Sequence, residues 1–121
     1  MDQRKGVPEY TDGVLSLFLG VQQTDTDFPE EKLVDQKMNI WYRELSVYDR
    51  LRFELNEGGK EVTMKIRIPR YDAIGSHHYC LIDGSYHHVY NATHVTSKEG
   101  FPETELTLIR PENNLEVAAN A

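Results

Sequence analysis

At 121 residues the chain suits one domain rather than two, and folding at that length buries roughly two-thirds of the surface the unfolded chain exposes. Thirteen basic against twenty acidic residues leave a net charge of -7, which disfavours wrapping DNA through phosphate contacts or docking on an anionic membrane. The single cysteine, Cys80, excludes an intramolecular disulfide, and Met1–Gly13 shows no signal-peptide pattern, so the expectation is a soluble chain made in a reducing cytoplasm.

Residues 1–13 read as a flexible N-terminal segment. In Val14–Gly20 the residues Leu15, Leu17 and Leu19 recur with period two, which predicts a strand with one buried face. The apolar stretch Val14–Val21 is far short of the ~20 residues a membrane span requires. Gln22–Lys37 holds few apolar residues and one proline, and reads as a long acidic loop. Met38–Leu45, rich in aromatic and branched residues, is the next strand. A short helix is predicted over 47–57. Ser46 caps it, with Asp49 completing a capping box. Tyr48, Leu51 and Leu55 form its apolar stripe, and Gly58–Gly59 stop it.

Lys60–Pro69 alternates most clearly: Val62, Met64, Ile66 and Ile68 face one way, Thr63, Lys65 and Arg67 the other. Tyr79–Ile82 and Ser85–Tyr90 flank Asp83–Gly84, the pair that favours a primed two-residue turn, so a hairpin is expected. A last strand covers Thr104–Arg110, and 111–121 reads as a flexible tail that frays or finds a partner. The sum is a mainly β domain over 14–110. Its expected form is a small antiparallel β-barrel or sandwich of about six strands, with one short α-helix covering an opening.

Charge is unevenly distributed. Residues 1–36 carry three basic and eight acidic groups, residues 37–69 seven and five, and residues 70–121 three and seven. Opposite-signed stretches on one small domain suit stacking against further copies of itself.

Three constellations bear on chemistry. With Asp83–Gly84 as a two-residue loop, Cys80 pairs with His87, and one face of the hairpin carries His78, Cys80 and His87, a ligand set for a soft metal. Tight ligand spacing and a fourth ligand are missing, so the preferred reading has these residues on an exposed or intersubunit face with no metal and no cofactor. The acidic loop offers Asp25, Asp27, Glu30 and Glu31 without the glycine and terminal glutamate of a calcium loop. A Cys80–histidine pair can be drawn as nucleophile and base, but a mid-strand position provides no cleft. Phosphate-loop, nucleophile-elbow and helical zinc motifs are absent, so no enzyme is expected.

The order of features resembles the head-tail joining (head-closure, or stopper) proteins of long-tailed phages. The resemblance rests on an apolar strand, a polar loop, NIWYRELS at Asn39–Ser46, and the stretch from EVTMKIRIPRYDAIG to ETELTLI over Glu61–Ile109. Together these span about Val14–Ile109. The resemblance implies a small β-barrel that assembles as a sixfold or twelvefold ring in the virion neck, built in the host cytoplasm. Such a ring closes the DNA-filled capsid, contacts the portal-adaptor protein above and presents a surface to the tail or tail-terminator protein below. Packaged DNA passes through it without sequence-specific binding. It further implies a gating loop in the channel, either Gln22–Lys37, which would place Asp25, Asp27, Glu30 and Glu31 there, or Arg70–Ser76. An acidic lining repels phosphate and lets DNA slide. The histidine-rich hairpin departs from the family pattern. A tail-completion or tail-terminator protein is the nearer alternative, and a metal-binding module using the His/Cys hairpin the more distant one.

Overall fold

The computed structural model describes residues 9–23, 30–47, 56, 58–112 and 116–117. Seven strands follow in chain order: β1 (Gly13–Gln23), β2 (Glu30–Leu45), β3 (Val62–Pro69), β4 (His78–Ile82), β5 (Ser85–Thr96), β6 (Pro102–Ile109) and β7 (Glu116–Val117). The first six lie in the order β1-β4-β5-β6-β3-β2, and β2 pairs back onto β1, so the six form a closed cycle. All six pairings in the cycle are antiparallel; β7 is added to β2 in parallel. The architecture is mainly β and sandwich-like.

One cluster fills the space between the two sides of the cycle. Leu15 and Leu17 of β1, Ile66 and Ile68 of β3, and Leu106 and Leu108 of β6 are each fully buried in it, with Cys80 and Val89 from the hairpin. These are the residues whose period-two spacing predicted strands, because successive strand side chains point to opposite faces.

Three irregularities bend the strands, and two of them fall where the sequence pattern breaks. Between Val89↔Leu108 and Asn91↔Thr107 the extra residue is Tyr90, which flips the alternation. The expected strand end at Tyr90 is therefore a bulge, and β5 continues to Thr96. On β3 the extra residue is Thr63, between Val62↔Ile109 and Met64↔Leu108. On β2, Gln36–Met38 stand opposite Leu17 alone, since Ser16 pairs with Asn39 and Phe18 with Asp35. Lys37 has φ 57°, and its N–H donates to Asp35 Oδ1 at 2.7 Å, which stabilises the kink.

That kinked strand corrects the loop expected over Gln22–Lys37. Gln22 belongs to β1 and Glu30–Lys37 to β2, paired from Gln23↔Glu30 to Phe18↔Asp35. Cross-strand pairing compensates for the weak local propensity of this polar stretch. The expected helix over 47–57 falls outside the described residues except for Val47 and Asn56, of which Asn56 is helical.

The described residues of both end segments are joined to the strands. Asp12 N–H donates to the Tyr42 carbonyl at 3.1 Å, and Asp12 Oδ2 accepts from Glu44 N–H at 2.7 Å, so the part of the 1–13 segment that is described is tied down. In the 111–121 tail, Glu116 and Val117 pair with Lys32 and Leu33.

Candidate functional site

The β4–β5 hairpin has the expected register: Cys80↔His87 and Ile82↔Ser85 across Asp83 (φ 50°) and Gly84 (φ 80°). Two consecutive positive φ values define the primed turn, which Asp–Gly accepts at low cost. The His78, Cys80 and His87 side chains are, however, each engaged separately. Cys80 is fully buried in the core, and burial pushes its thiol up to about 12, so it stays protonated at neutral pH and is a poor ligand or nucleophile. His87 Nδ1 lies 2.7 Å from Thr63 Oγ1. The same hydroxyl lies 3.3 Å from the Leu108 carbonyl. The Thr63 bulge is what turns this hydroxyl towards the histidine.

His78 Nδ1 accepts from Gly75 N–H at 3.2 Å, and its ring stands edge-on to Tyr71. Burial lowers the pKa of both His78 and His87. His88 stacks on Tyr79 with ring centroids 4.4 Å apart and contacts the Ser76 carbonyl through Nε2 at 2.7 Å. His94 Nδ1 meets Thr104 Oγ1 at 2.9 Å. Among the described residues no three His, Cys, Asp or Glu side chains gather as a metal-binding group.

Of the acidic set, Asp25 and Asp27 lie outside the described residues. Glu30 is exposed at the start of β2. Glu31 accepts a 2.6 Å hydrogen bond from the Tyr79 hydroxyl. Burial and then the Glu31 carboxylate raise the Tyr79 phenol. Tyr79 belongs to a second apolar cluster, with Phe18 and Leu33 and with Leu81 and Tyr86 packed against them, on the face turned away from the main core. Glu31 thus holds a buried tyrosine of this second cluster, a role its sequence position did not announce.

A polar cluster not foreseen from the sequence lies over β2, β3 and β6. The Glu103 side chain is only 1% exposed. It accepts from the Tyr10 hydroxyl at 2.8 Å and faces Arg43 at 3.5 Å and Arg67 at 3.4 Å. Arg67 also bonds Glu105 at 2.6 Å, and Lys65 reaches Glu105 at 3.3 Å. Burial, then Glu103, pushes the Tyr10 phenol up to about 12. Burial alone would raise the Glu105 carboxyl, but Arg67 and Lys65 hold it below its usual value. Lys65 and Arg67 on one predicted strand and Glu103 and Glu105 beside the next were the available signal for this pairing; Tyr10 offered none.

Arg70 straps the same corner, donating to the Glu103 and Val95 carbonyls at 3.0 and 2.8 Å, while Tyr71 N–H donates to Thr104 Oγ1 at 3.0 Å. The Arg–Tyr segment therefore anchors the loop 70–77 to the ends of β5 and β6.

These pairings change the charge picture. Among the described residues of the basic stretch 37–69, Arg43, Lys60, Lys65 and Arg67 all meet carboxylates from the acidic C-terminal third, so much of the positive charge described there is paired within the chain. The most exposed large apolar side chain among the described residues is Trp41, at 60%, opposite Val14 at 43%. No protein-family model matches the chain, and no curated protein matches it.

Proposed function

We propose that the chain is a structural, non-enzymatic component of the head-tail connector of a long-tailed phage, assembled as a ring that closes the filled capsid and offers the tail its attachment surface. The observation carrying this reading is the ordered resemblance over Val14–Ile109, whose strand segments fall on β1 to β6 in sequence, while most of its polar loop is occupied by the paired ends of β1 and β2. In this reading the six-strand cycle is a small β-barrel, and the 47–57 segment is the short helix over one opening.

The electrostatics support the same function. A chain of net charge -7 whose strand cations are largely taken up in internal ion pairs has little left with which to hold phosphates. DNA can then pass without being gripped. The β1–β2 hairpin is the gating element of this proposal, with Asp25 and Asp27 falling between its strands in sequence and Glu30 and Glu31 exposed at the start of β2, Glu31 also accepting from the Tyr79 hydroxyl.

Cryo-electron microscopy of the virion neck tests the proposal. The expected map shows a ring of this chain between the portal assembly and the tail, with the β1–β2 hairpin towards the axis. A ring seated on the end of the tail tube would make the protein a tail terminator instead. A hairpin on the outer rim would remove it as the gate.

A further inference from the structure

The attachment of β7 differs from every other pairing in the fold. It is two residues long, parallel, and made by Glu116 and Val117, both exposed. Its one ion pair, Lys32 Nζ to Glu116 Oε2 at 2.9 Å, leaves the Glu116 side chain 71% exposed and open to screening by salt. Neither feature anchors the strand strongly, and parallel pairing is the weaker kind per residue.

The edge that receives β7 is longer than β7 itself. On that side of β2, Lys32–Leu33 pair with β7 and Arg43–Leu45 with β3. Between them, from Val34 to Tyr42, no described strand pairs on that edge. An unpaired strand edge is a template for strand addition, with main-chain hydrogen bonds supplying affinity and side chains setting register. Here the register and the charge match, Lys32 to Glu116, are written in the chain's own sequence. A second copy therefore brings a strand already complementary to this edge, which an unrelated strand does not.

We infer that the C-terminal strand Glu116–Val117 exchanges between copies, each chain laying its β7 on the β2 edge of a neighbour and linking copies through strand addition. This rests on the many-copy reading above and gives it a specific contact.

Two single variants, Lys32→Cys and Glu116→Cys, test the exchange. Directly paired strand residues fall in the separation range a disulfide accepts. The native Cys80 does not compete, because it is fully buried. Mixed at high concentration under mild oxidation, the two variants should give the Lys32→Cys/Glu116→Cys heterodimer about tenfold above either homodimer, since strand pairing raises the local concentration of the matched thiols. The excess should fall on dilution. The inference is overturned if no excess heterodimer forms while the double variant closes as a disulfide-linked monomer at every concentration. Native mass spectrometry of the unmodified chain separates the two claims. A defined oligomer whose single variants stay uncoupled overturns the exchange and leaves the ring standing. Coupled dimers without any larger assembly support the exchange and count against the ring.

Discussion

Over β3 and β6 the side chains turned away from the main core include Lys65, Arg67, Glu103 and Glu105; over β1 and β4 they include Phe18, Tyr79 and Leu81. Both faces are covered, one by a polar network under Tyr10 and the other by a second apolar cluster. Alternation therefore reports that a strand has two faces, but not that the polar face meets water. On β6 it meets ion pairs, and Glu103 is more deeply buried than many apolar residues.

The two coverings should fail differently. Phe18, whose ring meets Tyr86 edge-on at 5.3 Å, should cost about 3–4 kcal/mol as Phe18→Ala, with an unchanged salt dependence. Glu103→Ala should cost about 2–3 kcal/mol, because two guanidiniums and a phenol lose their shared acceptor while keeping some access to water. Urea unfolding at low and high salt measures both. Equal salt dependence in the two variants would erase the distinction between the faces.

A smaller effect probes the edge of the apolar covering. A Cβ on Gly20 would run into the Glu31 carboxylate and stand 3.0 Å from the Tyr79 ring. Gly20→Ala should turn Glu31 away, break its bond to Tyr79 and cost about 1 kcal/mol. A Glu31→Ala background, which lacks both the clashing carboxylate and the bond, should reduce that penalty.

Acid should reach the interior before it reaches the charged face. His78 and His87 have folded pKa values lowered from 6.5, so their unfolded forms take protons first. Their contribution to stability is intact above pH 6.5 and declines as pH falls below it. Glu105 is lowered from 4.5, so its contribution is lost only as pH falls below that value. A urea midpoint that falls between pH 7 and 5, and flattens in His78→Asn/His87→Asn, is the expected result. Smallest of all, Lys32→Ala should leave the melting temperature nearly unchanged, because its partner Glu116 is largely exposed and the ion pair is screened by solvent.

What was legible in the sequence was local. Asp83–Gly84 dictates its own turn, and Ile66, Ile68, Leu106 and Leu108 declare their buried face by spacing alone. What was not legible depended on partners distant in sequence. Glu30–Lys37 is strand because β1 pairs with it, and Glu31 is structural because Tyr79, 48 residues away, donates to it. Tyr10 reaches Glu103 across 93 residues with no pattern to mark it. The histidines illustrate the same limit: their register was readable, but the Thr63 bulge that engages His87 was not.

Electron microscopy of phage particles assembled without this chain tests the proposed role most directly. The account predicts DNA-filled heads that leak their genome and carry no tails, with tails of normal length free in the same lysate. Sealed heads accompanied by overlong, unattached tails would contradict it.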